Sequence, residues 1–260
     1  MGRFIRPGIR DEIRKIGDMS QDANVRKLVD YMYSDELDWG YWKRLRNGSL
    51  GVDREELLRE ILSSGRSDKE IYEIVLRIHT TVTDDTILGD KTPAHLYHVP
   101  KLIEWFPESK VVHTFRDPRA ILASEWLKRT KKVPATFYPV KPTHPLYSFT
   151  IVLHVTVTWL YAVRLHRRYK ERYPQNYRFL KFEDLVREPE KQIRELCAFL
   201  DIEFDSRMLN PRQTGSSYSR RGGTGFDQEA LTRWQRHLKP WMQTWIQFWG
   251  GKRLKQFDYL

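Results

Sequence analysis

Apolar residues recur three or four positions apart in three early stretches: "ANVRKLVDYMY" (23–33), "DREELLREIL" (53–62) and "DKEIYEIVLRIHT" (68–80). That period predicts amphipathic helices through the first eighty residues, with Asp53 and Asp68 as N-caps. From Thr86 the pattern changes. Short β-rich runs now precede helical ones: "TILGDKTP" leads into "AHLYHVPKLIEWF", "KVVHTF" into "PRAILASEWLKR", and "NYRFLKF" into "EPEKQIRELCAFLD". Strands alternating with helices of this length predict right-handed βαβ units and a parallel sheet flanked by helices, an α/β class. Two segments depart from that alternation. "TKKVPATFYPVKPTHPLYS" (130–148) breaks both periods with four prolines and reads as a long loop. "DQEALTRWQRHLKPWMQTWIQFW" (227–249) reads as a helical region whose Trp234, Trp241, Trp245 and Trp249 are expected to pack on the sheet.

The uncharged run Tyr147–Val163 is shorter than the roughly 20 residues a bilayer requires, and Ser, Thr and His154 interrupt it. It predicts a buried helix. The charged start, "MGRFIRPGIRDEIRKIG", has no apolar signal core, and a cytoplasmic location without a membrane span is expected. A length of 260 residues fits one domain. It is expected to consist of a helical region (1–84), an α/β core (85–205) and a closing loop with C-terminal helices (206–260). The net charge of +11 predicts attraction to anions without choosing among nucleic acid, phosphorylated cofactor, sulfated glycan and acidic membrane. The single cysteine, Cys197, lies at helical spacing among apolar residues and reads as core filling.

The chemistry concentrates at "KVVHTFRDPRAILASEW" (110–126). Ligands of open α/β sheets bind outside the carboxyl ends of the strands, where helix N-termini point their N–H groups. Arg116 falls at such an end, Asp117 suits the N-cap, Pro118 suits the first helical turn, and Ser124 follows two turns later. A guanidinium and a hydroxyl so spaced fit one phosphate. An arginine paired with Asp117 or Glu125, and a serine bonded to a backbone carbonyl, fit the spacing as well.

The stretch resembles the 3′-phosphate segment of sulfotransferases that use 3′-phosphoadenosine 5′-phosphosulfate (PAPS), in which a strand ends in Arg-Asn/Asp-Pro-Arg and a serine follows eight residues after the first arginine. "GDKTPAHLYHVPKLIEWFPESKVVHTFRDPRA" and "YRFLKFEDLVREPEKQIRELCAFLDIEF" are similar to segments of the bacterial-type branch, and the resemblance runs from Ile87 to Trp249. It implies a P-loop NTPase-like sulfotransferase fold, PAPS as sulfuryl donor, no metal, and an acceptor hydroxyl or amine on a small molecule, glycan or protein. It implies that Arg116 and Ser124 hold the 3′-phosphate, and that Ser217, Arg220 and Arg221 of "GSSYSRRGG" close over the nucleotide. Lys91 is implied as a cation for the departing charge. His95 is implied as a base, although it follows the lysine by four residues where the family base follows by two. The proline-rich loop from Pro134 to Tyr147, with Phe137, Tyr138 and His144, is either the acceptor-facing segment or an ordinary surface loop.

The resemblance also implies an N-terminal strand and a Gly-x-x-Arg-Ser-Gly-Thr-Thr type loop around the 5′-phosphosulfate, and no such loop is found. "SSGRSDKE" (63–70) holds Gly-Arg-Ser but follows a helical run, and it reads as a turn between helices. The chain therefore reads as N-terminally incomplete, or as one that has lost half of a cofactor site. The alternative function is a non-catalytic basic module holding nucleotide or anionic polymer, with "LHRRYKER" and "LKRTKK" as its material. No nucleic-acid-binding signature and no Walker loop of a nucleotide kinase are found.

Overall fold

The computed structural model describes residues 15–35, 45, 48, 51–78, 87–131, 146–212 and 223–260. By its contacts the chain forms two compact units, Met1–Trp105 and Phe106–Leu260.

In the first unit three helices share one apolar core: α1 (Asp22–Met32), α2 (Arg54–Leu62) and α3 (Asp68–Arg77). Val25, Leu28 and Met32 of α1, Leu57 and Ile61 of α2, and Ile71 and Ile74 of α3 are buried in it. Asp53 caps α2 as expected, accepting from the Glu56 N–H at 2.6 Å. The cap of α3 is Ser67, one residue before the expected Asp68. Ser67 accepts from the Glu70 N–H, and the Glu70 carboxylate reaches back to the Ser67 N–H, a reciprocal pair that places Asp68 in the first turn instead. "SSGRS" is the turn between α2 and α3, as read.

Residues 87–92 carry no strand, contrary to the β reading of "TILGDKTP". Ile87 and Leu88 are exposed, so the β-branched run has no apolar face to cover there. The helix expected over 94–106 forms as a 3₁₀ turn, Pro93–His98, followed by α4 (Val99–Trp105). A continuous α-helix would need an N–H at Pro100 for the Leu96 carbonyl, and proline has none.

The second unit is built on two parallel strands, β1 (Val111–Phe115) and β2 (Tyr177–Lys181), paired in register from Val111 with Tyr177 to Phe115 with Lys181. Between them along the chain come α5 (Pro118–Lys131) and α6 (Tyr147–Arg172). After β2 come α7 (Phe182–Arg187), α8 (Pro189–Leu200), short 3₁₀ turns at Gln228–Leu231 and Arg233–Arg236, and α9 (Pro240–Gln256). The core joins Phe115 of β1, Leu122 and Ala123 of α5, Ile151 and Trp159 of α6, and Met242 and Ile246 of α9. The run Tyr147–Val163 is thus a core helix, as expected, and it continues through "LHRRYKER" to Arg172. Cys197 is buried beside Met208, with Sγ 3.7 Å from Sδ.

The tryptophan stripe behaves differently from its reading. Trp234 is buried, but Trp241 is 40% and Trp249 49% exposed, and the inward face of α9 is Met242, Ile246, Gly250 and Leu254. Pro240 begins a new helix, so the phase of the stripe shifts and Trp234 does not belong to it.

Behind β1 lies a buried polar cluster. The Tyr177 hydroxyl is 2.5 Å from His113 Nδ1 and 3.2 Å from His166 Nδ1. One phenolic proton serves only one imidazole, so the other must donate to the tyrosine, and the two rings hold opposite tautomers. Burial, with smaller contributions from neighbouring positive charge, pushes both histidines down from 6.5 to about 4. The folded state therefore refuses protons that the unfolded chain accepts between those values. The stability that keeping these two histidines neutral contributes is full above pH 6.5 and is lost as pH falls towards 4. The urea midpoint is expected to drop across that window, and His113→Gln to flatten the drop; a midpoint independent of pH from 7 to 4.5 would refute this assignment.

Candidate functional site

The groups singled out from the sequence lie in both units, and each cluster has its own geometry. In the second unit the carboxyl end of β1 turns directly into α5. Asp117 is the N-cap: its Oδ1 accepts from the Arg119 N–H at 2.8 Å, and its carbonyl accepts from the Ile121 N–H. Arg119 folds back onto the same carboxylate, with Nε 3.0 Å from both oxygens and Nη2 2.7 Å from Oδ2. Its guanidinium lies over the Trp234 ring at 4.3 Å and donates to the Tyr259 carbonyl. Glu183, the residue after the first of α7, completes the cluster. Oε1 accepts from the Asp117 N–H at 3.0 Å and Oε2 from the Tyr259 hydroxyl at 2.9 Å. Asp117, Arg119 and Glu183 are all buried. Burial, and then the Glu183 charge, holds the Tyr259 hydroxyl protonated, well above the usual tyrosine range. Two buried carboxylates are thus matched by a guanidinium, a phenol and backbone donors, the condition under which buried charge is tolerated.

Arg116 points elsewhere. Its Nη2 donates to the Ala230 carbonyl at 2.9 Å, and the guanidinium stacks over the Phe182 ring at 4.3 Å. Its own carbonyl accepts from Trp159 Nε1 at 3.0 Å. The two carboxylates offered by the sequence as partners are engaged by other arginines, Asp117 by Arg119 and Glu125 by Arg129 at 3.0 Å. Ser124 lies half-buried on α5. Seven residues of α-helix turn it to within about 20° of the Asp117 face and carry it about 10 Å along the axis. Ser124 therefore lies two turns along α5 from the cap, on the Asp117 face, while Arg116 stands at the strand end before the helix begins. Ser217, Arg220, Arg221 and most of the proline-rich loop, with Phe137, Tyr138 and His144, lie outside the described residues; Tyr147 is buried at the start of α6.

In the first unit Lys91 is exposed, and His95 lies half-buried in the 3₁₀ turn. A carboxylate organises this cluster too. Asp90 Oδ1 accepts from the Thr92 hydroxyl at 2.9 Å and Oδ2 from the Tyr72 hydroxyl at 3.2 Å, while Oδ2 lies 3.5 Å from His95 Nδ1. An acid facing Nδ1 favours the tautomer with its proton there, which puts the basic lone pair on Nε2. Burial lowers the His95 pKa, and the Asp90 charge partly opposes that fall. Among the described residues no group of acids, histidines or cysteines is arranged to hold a metal.

Sequence reasoning missed Asp90, Arg119, Glu183 and Tyr259. Asp90 sits in the quoted "GDKTP" and Glu183 in "KFEDL", so the acids inside the quoted motifs were the available signal. Tyr259 had none, because only the folded chain brings it to β1.

Comparison with known proteins gives the class. Residues 49–206 match the model of the Sulfotransferase family, and the chain belongs to that family. Among solved structures it is similar to the sulfotransferase domain from the curacin biosynthetic pathway, at 17% identity over 85% of this chain and 83% of that one, with a TM-score of 0.54. It is also similar to the sulfotransferase domain from the Synechococcus PCC 7002 olefin synthase, at 19% identity over 83% and 74%, with a TM-score of 0.55. At these identities the likeness establishes the fold, a sulfotransferase-like arrangement of helices around a small parallel sheet. No curated protein matches the chain.

Two outcomes are expected. Glu183→Ala leaves the Asp117 N–H and the Tyr259 hydroxyl buried without their acceptor and should cost about 2–4 kcal/mol in urea unfolding; a loss below about 0.5 kcal/mol would contradict the network. Asp90→Asn removes the charge that opposes burial at His95. Its NMR titration midpoint should move further down, and an upward move would contradict the pairing.

Proposed function

We propose that this chain is a PAPS-dependent sulfotransferase that moves a sulfuryl group to a hydroxyl or amine of a small-molecule, glycan or protein acceptor. What supports the reading is Arg116 at the carboxyl end of β1 followed by Ser124 two turns along the Asp117-capped helix, the order of groups that the family resemblance assigns to a phosphate. A guanidinium already oriented by a ring and a carbonyl loses little freedom on meeting a phosphate, and a serine hydroxyl supplies a further donor. The pair fits the 3′-phosphate of the donor nucleotide, and family membership favours a nucleotide cosubstrate.

In the reaction the bond from sulfur to the bridging phosphate oxygen breaks as one from sulfur to the acceptor forms, releasing 3′-phosphoadenosine 5′-phosphate. Negative charge grows on the leaving phosphate, and the acceptor loses a proton. The reaction thus needs a cation for the growing charge and a base for the proton, and Lys91 and His95, the latter with Nδ1 facing Asp90, are the residues the family resemblance offers for those roles.

Calorimetric titration with 3′-phosphoadenosine 5′-phosphate tests the proposal. Saturable binding is expected, weakened about 10–100-fold in Arg116→Ala and about 3–10-fold in Ser124→Ala, the range for losing a charged and a neutral hydrogen-bond donor. Binding that is indifferent to Arg116→Ala would overturn it. So would equal affinity for any polyanion falling steeply with salt, which is the behaviour of a basic module.

A further inference from the structure

Two helices of the second unit hold most of the large apolar side chains left in water among the described residues. Leu153, Val157 and Tyr161 of α6 are exposed, Val157 by 56%, as are Trp241, Phe248 and Trp249 of α9, Phe248 by 77%. They belong to one surface. Trp245 of α9 meets Phe149 edge-on at 5.2 Å and donates from Nε1 to Thr156 Oγ1 at 3.1 Å, and further along Arg167 donates to Gln256. The contacts advance together along both helices, so the two run side by side in the same direction. On α6 the positions 153, 157, 161, 164 and 168 form one stripe next to the line that touches α9, and on α9 the positions 241, 245, 248 and 252 repeat the spacing.

The stripe changes character along its length. Up to Tyr161 and Trp249 it is apolar and aromatic. Beyond them it is basic: Arg164 and Arg168 continue the α6 stripe and Lys252 the α9 stripe, and all three are exposed. We infer that this face docks on an anionic lipid surface, with the aromatic end at the acyl boundary and the cationic end among the phosphates.

A bilayer interface is the partner that takes both chemistries at once. Tryptophan, phenylalanine and leucine settle at its apolar edge, and lysine and arginine meet its charge. A cationic strip alone would meet any polyanion, and an aromatic strip alone would favour another protein. Val157 and Arg168 are about 16 Å apart along the helix, near half the thickness of a hydrocarbon core, so the pair would lie tilted with its aromatic end deeper. By length and apolar character α6 could cross a membrane, but Ile151, Val155, Trp159 and Val163 on its other side are committed to the protein core. The contact is therefore peripheral.

Vesicle flotation with the full chain tests this, using phosphatidylcholine alone and phosphatidylcholine with about one-third phosphatidylglycerol, at roughly 0.15 M salt. Binding to the anionic vesicles only is expected. Phe248→Ser with Trp249→Ser should weaken it at least about tenfold, and Arg164→Glu with Arg168→Glu should abolish it. All four side chains are exposed, and an unchanged circular dichroism spectrum and melting temperature verify that the variants fold. Failure of the parent chain to float, or flotation undiminished in the aromatic double variant, overturns the inference. Sedimentation showing a dimer that Phe248→Ser dissolves also overturns it, because a second copy of the chain is then the occupant.

Discussion

The Glu183 carboxylate holds the second unit together where the end of β1 turns into α5. One oxygen takes the N–H of Asp117 at the end of β1, and the other takes the hydroxyl of Tyr259, the next-to-last residue of the sequence. Asp117 in turn grips Arg119, and Arg119 donates to the Tyr259 carbonyl. The strand end, the first turn of α5, the start of α7 and the C-terminal residues are thus tied by groups that cannot be left bare in a dry environment. Each partner makes the burial of the others affordable in free energy.

This arrangement divides labour between the two arginines of Arg-Asp-Pro-Arg. Arg119 is the internal counter-charge, buried on Asp117 and stacked on Trp234. That frees the N-cap from any dependence on Arg116, whose guanidinium is turned to Phe182 and Ala230 instead. Around His95 the first unit applies the same logic with a different acid, because Asp90, itself held by Thr92 and Tyr72, sets which imidazole nitrogen carries the proton. In both places a carboxylate that is itself constrained fixes the orientation of a more versatile side chain.

Much of the architecture was legible in the chain because it is local. The helices of residues 22–77, the Asp53 cap, the β1–α5 junction with Asp117 and Pro118, the strand at 177–181 and the core helix after Tyr147 all follow from periodicity and capping chemistry within a few residues. Local readings failed where two local signals competed or where a strand needed a neighbour. The reciprocal bond between Ser67 and Glu70 displaced Asp68 as the cap, Pro240 reset the phase of the tryptophans, and residues 87–92 gained no strand partner.

The positions of Arg116 and Ser124 at a strand end and on the helix after it could be read from the sequence by itself, since both depend on neighbours in the chain. Tertiary structure alone decided what each charge does. The bonds from Asp117 to Glu183, from Glu183 to Tyr259 and from Arg119 to Tyr259 span 66, 76 and 140 residues. No pattern along the chain encodes a pairing at that range. It is set when the strands and helices pack and each buried charge must find its complement.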